Sequence, residues 1–167
     1  MTRLDDRAVL AQRAQRLAQP VVVAPAAALD LVVFELSREA YALEARCVMA
    51  VFGLRELSPL PGAGAGVTGL TTWRGTFLTI VDLRTALGLS EVVLADMSKV
   101  LVLGEGRATF GLLVDAVRGL VTVAGAEVHA PRDGVAPHRE LLRGVTNEGV
   151  VVLDGDAVVR HVEPWLP

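Results

Sequence analysis

Short apolar runs separated by turn residues make up most of the chain from residue 29 onward. Runs of this length that are rich in valine and bounded by turn-forming residues are typical of β-strands. Some are apolar at consecutive positions, as expected of strands covered on both faces in a small barrel or sandwich. The pattern therefore predicts an all-β fold. The predicted strands are Leu31–Leu36, Tyr41–Glu44, Val48–Phe52, Thr76–Val81, Lys99–Leu103, Thr109–Val114, Leu120–Val123, Val150–Leu153 and Ala157–Val159.

The first 28 residues follow a different pattern. Thr2–Gln19 consists largely of Ala, Gln, Arg and Leu, with apolar residues at helical spacing and Pro20 as a stop. We predict one short N-terminal helix, followed by a linker that ends at Ala28. The apolar stripe of this helix lacks Trp and Phe, so a solvated or loosely docked tail is favoured over the membrane-surface helix that its arginines suggest.

Composition and charge exclude two classes of function. The chain has 16 Lys and Arg against 19 Asp and Glu, a formal net charge of −3, and 4% aromatic residues. A nucleic-acid-binding domain would need a basic face and usually stacking rings. The longest apolar stretch, Val21–Leu29, is about half a membrane span and contains Pro25. We therefore expect no nucleic-acid partner and no direct insertion into a membrane.

A single cysteine, Cys47, excludes an internal disulfide. It lies inside an apolar run, which indicates a buried small hydrophobe rather than a nucleophile. The lone thiol, and a start of the sequence without a secretory signal pattern, lead us to expect a cytoplasmic protein.

A glycine pattern at Gly64–Gly69 matches the dinucleotide-binding sequence Gly-x-Gly-x-x-Gly. A site of that kind needs a strand before the glycines and a helix after them, so that the pyrophosphate meets the helix N-terminus. Here prolines precede the glycines, and the following residues, Leu70–Gly75, have strand character. A glycine loop between two strands is the favoured interpretation. The alternative is an enzyme that binds a phosphorylated ligand there, which calorimetric titration with NAD and ATP tests.

The histidines and serines offer no catalytic or metal-binding pattern. His129, His138 and His161 are scattered in loop-like sequence, and no two have a spacing typical of metal ligands. No serine lies in a Gly-x-Ser-x-Gly elbow. We therefore predict no catalytic residue, no metal site and no cofactor, and the protein is not expected to be an enzyme.

Aspartates end three apolar runs, at Asp82, Asp115 and Asp154. Three such acids could form a catalytic cluster, but aspartate is also the ordinary residue that caps a turn after a strand. Capping is the favoured interpretation. After Asp82, the stretch Leu83–Leu87 followed by Gly88 predicts one helical turn with a left-handed stop.

Two neighbouring motifs, Thr72–Gly75 and Ile80–Arg84, resemble those of the CheW family, the chemotaxis coupling proteins. Thr72–Gly75 stands where that family carries Asn-x-Arg-Gly, and Ile80–Arg84 where it carries Val-Ile-Asp-Leu-Arg. Two further stretches agree in order, since Leu31–Leu43 resembles the family's opening hairpin and Phe110–Gly119 its Gly-Leu-x-Val-Asp-x-Val segment. The resemblance covers the chain from about Leu29 to Val159.

This resemblance implies two packed five-stranded SH3-like barrels without a catalytic residue. The CheW-like domain would span residues 29–163, with a first barrel at about 29–90, a second at about 98–155 and a C-terminal segment returning toward the first. Members of the family bridge the cytoplasmic signalling tips of methyl-accepting chemoreceptors and the regulatory domain of the CheA histidine kinase. The resemblance therefore implies a non-catalytic adaptor in the cytoplasm, at receptor arrays.

The resemblance also points to partner-binding residues in the first motif. The family's Arg falls on Arg74, with Gly75 after it and Thr72 in place of the family's Asn. We expect Arg74 to reach a receptor helix, because a guanidinium can satisfy several acceptors at once. An ion pair between Arg74 and Asp82 inside the fold is an equally weighted alternative.

A second segment, Val-x-Glu-Val in the family, falls on residues 48–51. The resemblance assigns Val48 and Val51 to receptor and kinase contact, with core packing as the alternative for either one. The family's Glu falls on Ala50, and the last hairpin, around Thr146–Gly149, is two or three residues short. These departures motivate an alternative in which the chain is a divergent member that binds receptors but not the kinase.

A self-assembling scaffold without a kinase partner, built through paired barrel edges, is a further alternative of another class. Sedimentation with and without a receptor fragment separates it from an adaptor, because only the adaptor should bind the fragment.

Overall fold

The computed structural model of the protein describes residues 27–89, 98–131 and 138–167. The N-terminal helix predicted within Thr2–Gln19, and the linker up to residue 26, lie outside these residues. In the described parts, the chain forms eleven strands and one α-helix, α1 (Gly155–Val162). The predicted all-β fold is confirmed. None of the helices in these parts is long and apolar enough to cross a membrane.

The strands are short, and most of them pair with a neighbour in antiparallel orientation. In chain order they are β1 (Ala28–Leu36), β2 (Glu39–Glu44), β3 (Val48–Gly53), β4 (Val67–Trp73), β5 (Thr76–Val81), β6 (Lys99–Leu103), β7 (Phe110–Val114), β8 (Ala116–Ala124), β9 (Val128–His129), β10 (Leu142–Thr146) and β11 (Val151–Leu153).

These strands form two sheets. The first sheet has the order β8-β1-β2-β11-β10-β9, and the second has the order β3-β6-β7-β5-β4. Most neighbours are antiparallel, but β11 runs parallel to β2 and β7 runs parallel to β5. The two parallel pairs join segments that are distant in the chain, because parallel neighbours cannot be connected by a hairpin.

The sheets do not divide the chain at the predicted boundaries of 29–90 and 98–155. The second sheet takes all its strands from residues 48–114, whereas the first combines the opening hairpin with strands from residues 116–153. The opening hairpin pairs with late strands, for example Leu31 with Val121 and Tyr41 with Val151.

Three apolar cores explain why several strands are apolar at consecutive positions. A central core joins side chains of both sheets, and each sheet has a further core of its own. In β6, Leu101 and Leu103 belong to the central core, while Val100 and Val102 belong to the core of the second sheet. Successive side chains of a strand point to opposite faces, so a strand between two cores must be apolar on both.

The strand predicted at Ala157–Val159 is wrong, because these residues lie in helix α1. The Asp154 side chain accepts a hydrogen bond of 2.8 Å from the backbone N–H of Ala157, which caps the first turn. Val158 and Val162, four residues apart, are buried in the central core. A short apolar run fits a strand and one face of a helix equally well, so its periodicity could not distinguish them.

The glycine loop before β4 provides a packing surface for the C-terminus. A Cβ atom added to Gly66 would overlap the Trp165 ring, and one added to Gly64 would lie 3.1 Å from the Cβ of Trp165. The loop leads into β4 rather than into a helix. These glycines therefore leave room for the indole ring of Trp165. The loop precedes a strand and lacks the helix N-terminus that a dinucleotide site requires.

Candidate partner-binding surface

The hairpin of β4 and β5 carries three of the predicted site residues. Its register pairs Trp73 with Thr76 and Thr72 with Phe77, which leaves Arg74 and Gly75 as a two-residue loop. Both loop residues have positive φ angles, 49° and 80°. Loops of this kind match the right-handed twist of the flanking strands, and glycine at the second position meets the conformational requirement without strain.

Arg74 and Phe77 are the large exposed side chains of this hairpin tip. The Arg74 guanidinium lies 4.8 Å from the centroid of the Trp73 ring, and Trp73 packs against the core of the second sheet. Within the described residues, Arg74 forms no ion pair, and it is exposed. Phe77 is 82% exposed. The tip therefore presents a cation held over an indole ring and a phenyl ring in water.

Asp82 does not pair with Arg74, so the alternative of an internal ion pair for Arg74 is wrong. The partner of Asp82 is Arg84, at 2.8 Å, and Arg84 also contacts Asp115 at 2.5 Å. Asp115 in turn accepts a hydrogen bond from the backbone N–H of Ser37, in the turn between β1 and β2. The Arg84 side chain is 2% exposed. This network joins the end of the second sheet to the opening hairpin of the first.

The structure separates the predicted residues of β3. Val48 packs against the central core and Ala50 against the core of the second sheet, both half-buried. Val51 and its neighbour Met49 are 46% and 40% exposed. β3 is at one end of the second sheet and β4 at the other, so the ladder does not bring the two segments side by side.

A further exposed apolar area lies on β8, at the end of the first sheet. Leu120 is 63% exposed and Val121 is 44% exposed. Beside Val121, a cleft of about 180 Å³ reaches Leu31 and Val33 in the core of that sheet. An end strand with exposed apolar side chains is a common platform for strand addition by a partner. The sequence of β8 does not distinguish it from the buried strands, so its exposure could not be predicted.

Cys47 and two of the strand-ending aspartates have structural roles. Cys47 is buried, and this burial raises the pKa of its thiol above the ordinary value, against the opposing effect of Arg46. A buried thiol with a raised pKa is a poor nucleophile at neutral pH. Asp82 accepts a hydrogen bond from the backbone N–H of Arg84, and Asp154 caps α1, so both act as capping residues.

Comparison with known proteins gives a consistent picture. Residues 30–163 match the CheW-like domain family. The chemotaxis protein CheW of Rhizobium meliloti is 28% identical over 117 residues, which are 70% of this chain and 76% of that protein. The chemotaxis protein CheW of Treponema pallidum is 25% identical over 133 residues, 75% of this chain and 78% of that protein.

A solved structure agrees with the fold. The crystal structure of the scaffolding protein TtCheW from Thermoanaerobacter tengcongensis superposes with a TM-score of 0.67 at 20% sequence identity. The match covers 77% of this chain and 85% of that one. The fold agrees with that of the solved structure, and the family match spans most of this chain. The chain is therefore a member of the CheW-like domain family.

Proposed function

We propose that this protein is a non-catalytic adaptor that couples the cytoplasmic tips of chemoreceptors to the regulatory domain of a CheA-type histidine kinase. The observation that carries the proposal is the match to the CheW-like domain family over residues 30–163. An adaptor with these partners acts in the cytoplasm, at receptor arrays.

The hairpin tip is the proposed receptor contact. Receptor tips of this kind are helical, and a helix offers carboxylates and carbonyls to a guanidinium. Arg74 is exposed and has no ion pair within the described residues, so a receptor acceptor need not displace an internal partner. Thr72 and Gly75 shape the tip, and Phe77 adds apolar area beside the cation. Aromatic and Arg side chains together are the usual anchors of protein interfaces.

The outward side of β3 is the proposed kinase contact. Val51 and Met49 expose apolar surface there, whereas Val48 and Ala50 face the cores. The inward position of Ala50 gives no support to the alternative of a receptor-only protein, because a missing charge at a core-facing position removes nothing from the outer face. The short hairpin at Thr146–Gly149 is the remaining support for that alternative.

A capture experiment tests the receptor contact. Purified protein is mixed with an immobilised receptor-tip fragment, as wild type, Arg74→Ala and Arg107→Ala. Arg107 is a matched control, because it is also an exposed arginine in a loop between two strands of the second sheet. We expect Arg74→Ala to lose capture and Arg107→Ala to retain it, with both variants folded. Equal capture by all three proteins would remove Arg74 from the site.

Titration against the isolated kinase regulatory domain tests the second contact. We expect micromolar or tighter association, weakened by Val51→Glu, which places a charge on the outward face of β3. Association too weak to measure, together with intact receptor capture, would favour the receptor-only alternative. Self-association without binding to either partner would favour the scaffold.

A further inference from the structure

Two histidines and a glutamate meet on the surface beside helix α1. The ligand atoms of His138, Glu140 and His161 all lie within 4.8 Å of one another. His138 Nδ1 is 2.8 Å from a Glu140 carboxylate oxygen, and the His138 and His161 rings are 5.0 Å apart between centroids. The three residues come from two separate segments of the chain, which the central core brings together.

Both segments are anchored next to the cluster. Leu141, which follows Glu140, is fully buried in the central core, and its carbonyl accepts a hydrogen bond from the backbone N–H of Asp154 at 2.8 Å. On α1, Val158 and Val162 on the buried side hold the helix against the same core, while His161 is half-buried. The backbone under the cluster is therefore fixed, and its side chains need only rotate.

The backbone at His138 has an unusual conformation. Its φ and ψ angles, 56° and 49°, lie in the left-handed region, which few non-glycine residues occupy. This conformation accompanies an imidazole that faces the helix histidine. Sparsely populated backbone angles persist where the surrounding structure holds them, and they concentrate at functional sites.

The donor set suits a borderline divalent metal. Two imidazole nitrogens and one carboxylate oxygen form a common ligand set for zinc, with bonds of about 2.0–2.2 Å. Ligand atoms in a tetrahedral zinc site are about 3.3 Å apart. Two of the three side chains are exposed, so side-chain rotations that move the ligand atoms by about 1.5 Å close the difference from the observed spread of 4.8 Å. Magnesium and calcium prefer oxygen ligands and are poorly matched to two imidazoles.

We propose that His138, Glu140 and His161 bind a divalent transition metal, Zn²⁺ by preference, which fastens the segment before β10 to helix α1. The protein supplies three ligands, and water completes the shell. This site is independent of the proposed partner contacts, since none of its residues lies on β3, β8 or the β4–β5 hairpin.

Calorimetric titration of the untagged full chain with Zn²⁺ tests the proposal. We expect one Zn²⁺ per chain with a micromolar Kd, a loss of affinity of at least about tenfold in His138→Ala and in His161→Ala, and no binding of Mg²⁺. His129→Ala is the matched control. His129 is an exposed histidine that is hydrogen-bonded to Asn147, outside the cluster. Equal affinity in wild type and His138→Ala, or an equal loss in His129→Ala, would overturn the proposal.

A fluorescence experiment tests the same site without relying on the heat of binding. The Trp165 ring lies 4.9 Å from the His161 ring, so a paramagnetic ion in the site should quench Trp165 fluorescence. In a Trp73→Phe background, which leaves Trp165 as the one tryptophan, we expect Ni²⁺ to quench with the stoichiometry of one site. The quenching should disappear in His138→Ala, whose exposed position keeps the fold intact, as checked by circular dichroism. Quenching that persists in this variant would contradict the site.

Discussion

Arg74 and Arg84 stand near the two ends of the same strand, β5, yet they occupy opposite environments. Arg74 lies exposed at the hairpin tip with an indole ring as its neighbour, and Arg84 lies 2% exposed between two carboxylates. A buried guanidinium is costly unless paired, whereas an exposed one remains solvated. The buried arginine therefore links the two sheets through Asp82 and Asp115, whereas the exposed one keeps its guanidinium in water.

The largest expected effect is the loss of the buried network. Arg84→Ala leaves Asp82 and Asp115 without their cation. Their side chains are 25% and 29% exposed, so water partly compensates for the loss. We expect a loss of about 3 kcal/mol in the free energy of unfolding, measured by urea denaturation. Arg118→Ala, which removes an exposed ion pair with Glu35, is the control and should cost less than about 1 kcal/mol. Similar values for both variants would refute the structural role of Arg84.

The second-largest loss of stability is expected at the glycine loop. In Gly66→Ala, the new methyl group would overlap the Trp165 ring, so the ring must move. We expect a loss of about 2 kcal/mol and a change in tryptophan emission. Gly53→Ala is the control, because its added Cβ would meet only the end of the Lys99 side chain, at 3.7 Å. Unchanged emission in Gly66→Ala would mean that Trp165 does not rest on this loop.

A smaller effect is expected at the helix cap. Asp154→Ala removes the acceptor for the Ala157 N–H and should destabilise the protein by about 1 kcal/mol. Asp154→Asn should restore most of that stability, since asparagine is an equally good N-cap residue. Urea denaturation of the two variants measures this difference. A loss of the same size in Asp154→Asn would point to charge rather than to capping.

The smallest effect on stability belongs to the exposed arginine itself. Arg74→Ala removes an exposed side chain that lies over the Trp73 ring, so we expect no measurable change in the urea midpoint. Together with the expected loss of receptor capture, this result would complete the contrast with Arg84. Unfolding of Arg74→Ala would instead show that the hairpin tip is part of the scaffold.

Local features of the fold were accessible from the sequence. The strand predicted at Lys99–Leu103 has the bounds of β6, and the helical turn after Asp82 forms with a hydrogen bond of 2.9 Å from the Leu87 N–H to the Leu83 carbonyl. Gly88 ends that turn with a φ of 72°. The strand character predicted at Leu70–Gly75 covers only the second part of β4, because the threonines and glycine of this strand obscure the apolar alternation.

The candidate surface was accessible only in part. The motif around Arg74 pointed to the hairpin tip. No feature of the sequence predicted the exposure of Phe77, since a phenylalanine in a strand is ordinarily buried. The expectation that the histidines have no metal-ligand spacing considered only their separation along the chain. His138 and His161 meet in space because α1 packs beside the segment before β10.

The amino-acid sequence was enough to predict the class of the fold, the positions of most strands, the left-handed stop at Gly88 and the family resemblance, because these depend on residues within a few positions of one another. Four features became visible only in three dimensions: the strands that share a sheet, the burial of Arg84, the packing of Trp165 on the glycine loop and the contact of two distant histidines. Pairings between distant segments depend on how three cores close together, and no short stretch of sequence contains that information.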